Sequence, residues 1–540
     1  MTTTRSRAHD HPRPGFVLDV DRSTPPILFH AGEGFHLERL PVGSRVIYPP
    51  EPQPPLDDPD AAIRHALLHP LGDSEPLPAL LRPGMRLTIA FDDLSLPLPP
   101  MRRPDNRQRV IEAVLEMAAE AGVDDVVLIA ALGLHRRMTE AELRHAVGDR
   151  VYDAFAPHGL LQQHDGEDPD NLVVVGHTAE RELVEMNKRA ATSDLLVYVN
   201  INLVAMDGGH KSLGTGLTSY RSLRHHHNVH TLQHSRSVMD QTRSELHSSN
   251  WRMGRLVKAE GIKVFQVETT LNTDTFPSTF GFLQRREWEW SARDRATYLA
   301  VKKSLDRTPG PLARSIFQSI KAPHQMTGVN AGDVEAVHAA TTEAVYRQQL
   351  VPVEGQSDVL TMGLPYICPY NVNSVMNPIL VMCLGLGYFF NLYRGRPLVR
   401  QGGVVIMSHP TPWEFHPVHH PSYIDFFEQV LTETTDPVEI EAKFEEDFAT
   451  DPWYIHLYRT SYAYHGVHPF YMWYWGAHAL QHLSPNGVII VGGNAKAVRR
   501  MGFKPASTLR DALEMAEDVV GRDPSITHLH APPLLLADVT

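Results

Sequence analysis

The chain has 540 residues, 42% hydrophobic and 21% charged, a composition ordinary for a soluble globular protein and a length beyond a single hydrophobic core, so two domains are expected. Its formal charge of -13, from 50 Lys+Arg against 63 Asp+Glu, argues against a general nucleic-acid or anionic-membrane binder. There is no long uninterrupted apolar run, and residues 1–14 lack the apolar core of a secretory signal, so neither a membrane span nor export is expected.

Residues 1–30 read as a flexible tail. Pro/Asp-rich text at 48–59 and 73–83 reads as loop, and 85–91 as a strand ending at Asp92-Asp93. Over 106–121, Val110, Ile111, Val114, Leu115, Met117 and Ala118 recur at helical spacing before Gly122, a natural stop. A buried strand at 125–131 leads into Leu132-Gly-Leu-His135 and then Thr139-Glu-Ala-Glu142, which has capping-box character. The rhythm continues with a strand at 171–175, a helix at 181–190 and a strand at 194–204. It restarts with strands at 263–271, 358–362, 403–407 and 487–491, and helices at 332–348, 379–390 and 508–520. Such alternation predicts an α/β protein with two domains of mainly parallel sheet covered by helices and an active site in the cleft between them. The expected division is 31–260 for a cofactor-anchoring domain and 261–540 for a second domain. The second carries an aromatic, His-rich insertion at about 409–476, a lid, a substrate wall or a packing surface.

Chemistry concentrates in Ala205-Met-Asp-Gly-Gly-His-Lys-Ser212 and in His225-His226-His227. A lysine after a strand-terminal Gly-Gly turn is either a solvated surface residue or a covalent anchor, because an amine held out of bulk water becomes a better nucleophile as its pKa falls. The segment is not a phosphate loop, since His210 separates Gly209 from Lys211 and a strand residue stands where the first glycine belongs. Successive residues on a helix point about 100° apart, so at most one or two of the three histidines reach a common metal. Imidazole suits nickel, zinc or copper, and with only Cys368 and Cys383 present, nitrogen ligation and a reducing cytoplasm are expected. Most of the 31 histidines read as structural. His135, at the end of a strand, is either a loop-filling residue or a general acid/base.

Ala131-Leu-Gly-Leu-His-Arg-Arg-Met-Thr139 resembles the Ala-Leu-Gly-x-His-Arg-x-Met-Thr signature of the lactate racemase family, and Gly208-Gly-His-Lys211, Gly216 and His227 follow that family's order and spacing. Weaker similarity at 332–338, 402–406 and 503–513 extends the resemblance over roughly 85–540. It implies a nickel-pincer nucleotide, Ni(II) pyridinium-3,5-bisthiocarboxylic acid mononucleotide, bonded covalently to Lys211 and lined by Asp93, Ser95, Gly208 and Gly209. His227 would complete the square-planar nickel. His135 would deprotonate the substrate hydroxyl while hydride moves reversibly between the carbinol carbon and the cofactor, inverting the centre. The implied protein is an isomerase of a hydroxyacid or related polyol acid, loaded by cofactor-biosynthesis enzymes, and the cysteine usage places it in the cytoplasm.

Departures from the family pattern bear on the substrate. Asn202 stands where the second proton-transfer histidine is expected, and asparagine cannot shuttle a proton at neutral pH. Asn202, His210 and His226 are therefore the candidates for the second proton carrier or a substrate contact. In Asp93-Leu-Ser-Leu-Pro-Leu-Pro99, Leu96 replaces the arginine expected to hold a carboxylate. Tyr370-Asn-Val-Asn-Ser-Val-Met-Asn377 offers Asn371, Asn373 and Asn377 as substrate contacts but no lysine. Two readings remain: a racemase or epimerase with an altered substrate site, and a non-racemising cofactor carrier that keeps both anchors. A zinc hydrolase is disfavoured by the lack of a His-Glu-x-x-His helix.

Overall fold

The computed structural model describes residues 12–96 and 100–540; the first part of the expected tail and positions 97–99 of the Asp93 motif lie outside them. Two large sheets organise the chain. The first has six strands in the order Met326–Gly332, Val264–Leu271, Leu195–Asn202, Arg86–Asp92, Asp125–Ala131 and Leu161–Gln163. Every pairing in it is parallel except that of Met326–Gly332 with Val264–Leu271. Leu195–Asn202 is buried along its whole length, as expected of a parallel strand covered on both faces. The second sheet has nine strands, with Ser357–Pro365, Val399–Ser408 and Val488–Val491 running parallel at its centre. Helices flank both sheets, so the fold is α/β with mainly parallel sheets.

Several helix ends follow directly from local sequence. Thr139 and Glu142 form a reciprocal capping box on Glu140–Val147, and Asp105 caps Asn106–Glu120. The helix expected over 181–190 is a strand instead. Leu183–Asn187 pairs antiparallel with Leu172–His177, and only Lys188–Ala191 is helical. Its apolar residues alternate across a hairpin face rather than recurring at helical spacing.

Sheet membership divides the chain differently from 31–260 and 261–540. Val264–Leu271 and Met326–Gly332 complete the first sheet, while Phe16–Asp19, Ile27–Gly32, Gly34–Glu38 and Arg45–Tyr48 join the second. The described part of the expected tail thus holds the strand Phe16–Asp19 and the start of Ile27–Gly32. Strand pairing acts across hundreds of residues, and local composition does not reveal the partner.

The aromatic stretch at 409–476 is an interdomain wall. Its helix His468–Tyr474 is buried throughout. Tyr458 donates its hydroxyl hydrogen to Gly133 O (2.8 Å) and accepts from Gly166 N–H (3.0 Å) across the domain boundary. Among the described residues no helix is long and apolar enough to cross a membrane.

Candidate active site

The central strand Leu195–Asn202 delivers the Gly-Gly turn to its C-terminal end, where parallel sheets place ligands. Gly208 and Gly209 both have positive φ, 90° and 62°, and Gly209 has ψ of -151°, a conformation essentially restricted to glycine. A Cβ on Gly209 would meet the His338 ring at 2.6 Å. The Gly209 N–H donates to Glu268 Oε1 (2.6 Å), and Asn202 Nδ2 donates to Asp207 O (2.7 Å). Ser212 is held by Asn200 (2.7 Å), whose amide also reaches Asp92 (2.7 Å). These ties fix the first turn of His210–Gly216 and with it Lys211. The lysine is half-buried, and no hydrogen bond or ion pair engages its amine among the described residues.

His227 is oriented by a relay of tautomers. His226 Nε2 faces the carbonyl of Gly214 at 3.1 Å, and a carbonyl only accepts, so that nitrogen carries hydrogen. Burial pushes His226 down to about 4, so the ring is neutral and its Nδ1 is a bare acceptor. His227 Nδ1, 2.8 Å away, must therefore be the N–H donor, which leaves His227 Nε2 with a free lone pair. Burial holds His227 well below the usual range, with His226, Lys211 and His135 adding to the effect. A proton therefore does not compete for the nitrogen a metal would use. His227 and His135 pack against the same helix, His468–Tyr474: His227 against Tyr471 (5.3 Å) and His135 against His468 (5.3 Å). Among the described residues no group of three or more His, Cys, Asp or Glu side chains is arranged to hold a metal.

His135 is oriented by Asp93. Its Nδ1 lies 2.9 Å from Asp93 Oδ2, and Ser95 donates its N–H (2.9 Å) and hydroxyl (3.1 Å) to the same carboxylate. A carboxylate so arranged accepts, which puts the His135 proton on Nδ1 and leaves Nε2 as base. Asp93 and Ser95, expected to line a cofactor, are engaged here in orienting His135.

The C-terminal domain contributes a second histidine that local pattern did not single out. His468 lies with its ring 5.3 Å from that of His135, and both flank Tyr370. Its Nδ1 shares a hydrogen with the Tyr423 hydroxyl (2.6 Å), and its Nε2 is buried without a partner. Burial keeps His468 neutral, reinforced by His135, His420 and His227. His468, Tyr471 and Trp475 follow at i, i+3 and i+7 and so share one helix face; Tyr471 and Trp475 pack against His227 (5.3 and 5.8 Å). The cluster of histidines within the aromatic stretch was the available signal, but nothing in it set His468 apart.

The remaining candidates are committed elsewhere. Asn202 braces the Gly-Gly turn. His210 lies against Glu335 (3.2 Å) and Trp251, and both His226 nitrogens are spent in the relay. Asn371 accepts from Cys368 N–H (2.8 Å), Asn373 donates to Glu142 (2.7 Å), and Asn377 caps Pro378–Met382. Each is a turn or cap residue, the commonest use of asparagine where the chain bends. Leu96 packs with Met101, Ile201, Leu203 and Leu271. Arg136 does not replace the missing arginine: it is buried in a fork with Glu142 (2.7 and 3.0 Å).

The family described as the lactate racemase N-terminal domain matches residues 34–240, a span holding His135, Lys211 and His227. No curated protein matches the chain. The lactate racemase apoprotein from Thermoanaerobacterium thermosaccharolyticum has a similar structure, with a TM-score of 0.62 at 17% identity over 95% of this chain and 99% of that one. A protein from Thermotoga maritima aligns over 91% of this chain and 100% of its own at 12% identity, with a TM-score of 0.48. Residues 34–240 thus match the lactate racemase N-terminal domain, and the chain as a whole has the fold of the racemase apoprotein.

Proposed function

We propose that the protein is a racemase or epimerase of a 2-hydroxyacid-type substrate that works with a nickel-pincer nucleotide tethered to Lys211. The observation that carries this reading is the tautomer relay, which leaves His227 Nε2 bare on the segment that follows Lys211, with the Asp93-held His135 packed on the same helix as His227. When bound, the nucleotide supplies a reversible acceptor for the hydrogen on the substrate's carbinol carbon. Lys211 is the covalent anchor and His227 the nickel ligand.

His135 Nε2 takes the hydroxyl proton, and Asp93 stabilises the imidazolium that forms. With Asn202 tied into the turn, His468 is the second proton carrier, presented from the C-terminal domain. Tyr370 and Tyr464, both held neutral by burial, keep water from the space around the two histidines. In this reading the partners are a small hydroxyacid or related polyol acid and the enzymes that make the cofactor, in the cytoplasm.

Intact-mass spectrometry after co-expression with cofactor-biosynthesis enzymes tests the anchor. A covalent adduct is expected on the wild type and none on Lys211→Ala; equal masses would end the reading. A second reading, a carrier without turnover, is favoured by the structural use of Asn202. Loss of optical activity of any enantiopure 2-hydroxyacid would exclude it.

A further inference from the structure

We infer that the cleft between the two domains contains a pocket for an apolar substituent of the substrate, an aliphatic or aryl chain. This deepens the racemase reading and rests on it. A cavity of about 340 Å³ lies there, within the size range of small-molecule sites. Leu203, Val204 and Phe317 line it from the first domain and Leu384, Tyr388 and Leu534 from the second. Leu203 and Val204 directly follow the strand that leads to the Gly-Gly turn, so the cavity begins where the Lys211 segment begins.

Tyr388 joins the cavity to both halves of the site. Its hydroxyl shares a hydrogen with that of Tyr370 (3.0 Å), whose ring is 5.3 Å from His135. Its ring stacks on Trp475 (5.6 Å), which packs against His227 (5.8 Å). A substrate held near His135 with a substituent directed past Tyr388 would enter this space.

The lining suits an uncharged group. Burial pushes His30 down to about 3 and His324 to about 4, so both wall histidines are neutral. Among the described lining residues the carboxylate present, Glu33, faces Arg314 (3.5 Å). The outer wall is the segment between Val264–Leu271 and Met326–Gly332, where Ala292–Leu305 and Gly310–Ser319 turn Val301, Ala313 and Phe317 toward the cavity. No proton-transfer or anchoring step uses this segment. The pocket also agrees with the replacement of an arginine by Leu96: affinity lost with a cation is recovered by burying hydrocarbon.

The test uses the apoprotein and titrates straight-chain 2-hydroxyacids of four, six and eight carbons by calorimetry. Each buried methylene should tighten binding about fourfold, from ~0.8 kcal/mol per CH₂. Ala313→Phe, which fills the cavity, should weaken the eight-carbon acid at least tenfold and leave the four-carbon acid nearly unchanged. Leu299→Ser, at an exposed position of the same segment outside the lining, should bind as wild type. Should Ala313→Phe fail to fold, Val301→Phe blocks the cavity from the neighbouring helix. Affinity that does not change with chain length, or that survives the filled cavity, overturns the pocket. Length-dependent binding without a Lys211 adduct would keep the pocket and sink the racemase reading, so the two failures are distinguishable.

Discussion

In the proposed reading, the anchoring side of the site and its proton-handling side are built from different kinds of information. Lys211 and His227 sit on one short stretch of the first domain, positioned by glycine conformation, a strand end and a relay between adjacent histidines. His135 and His468 come from opposite domains and meet only because Tyr370, Tyr423 and Tyr464 pack between and around them. The anchoring side therefore depends on backbone geometry that one substitution can spoil. The proton-handling side depends on the domains staying closed and their buried histidines staying neutral.

Acid should expose this difference with the largest effect. His30, His409 and His528 are each pushed to about 3 and His478 to about 4 in the C-terminal domain, as are His247 to about 3 and His226 to about 4 in the first. These folded values lie below the unfolded value of about 6.5, so the unfolded chain takes up protons that the folded chain refuses. Stability present above pH 6.5 is lost as pH falls below it, by on the order of 1 kcal/mol per histidine at pH 5.5. Denaturant titrations at pH 7.5 and 5.5 should differ by several kcal/mol, with hydrogen exchange rising first in the second domain. Equal stability at both pH values would contradict the buried-neutral assignment.

Next in size is the loss of the base. His135→Ala should lower turnover by about 10²- to 10⁴-fold. Asp93→Asn, which acts through the tautomer of His135, should also cut turnover and displace the acid limb of the pH–rate profile. An unshifted profile would make Asp93 merely structural. His468→Gln should cost about 10- to 100-fold in kcat/KM for either enantiomer, on the lower side of general acid–base effects. Turnover at the wild-type level would remove His468 as the second proton carrier and leave the proton-handling side within one domain.

The smallest effect is expected at the turn. Gly209→Ala forces a side chain into a glycine-only conformation and against His338, costing about 1–3 kcal/mol. Thermal unfolding should show that loss while the fold persists, and the Lys211 adduct should fall with it. An adduct formed at the wild-type level would mean that anchoring does not depend on this geometry.

Much of the first domain was legible residue by residue. The strand runs at 85–91, 125–131 and 194–204 read correctly because parallel strands buried on both faces are continuous apolar text. Thr139 and Glu142 announced their helix through a cap whose partners are three residues apart. The expected helix at 181–190 failed because hairpin pairing with 172–177 outweighed a weak local preference. Asn371, Asn373 and Asn377 were chosen for their side-chain chemistry, yet each is consumed by the backbone or carboxylate beside it.

By itself the sequence determined the α/β class, the glycine-bearing turn that presents Lys211, and the proximity of His226 to His227, because these rest on φ preferences and on contacts within a few residues. Only the tertiary structure decided which sheet the N-terminal strands complete, that Asp93 orients His135, and that His468 stands beside it. Those outcomes depend on pairing and aromatic packing between distant segments, whose free energy appears only once both partners are folded against each other.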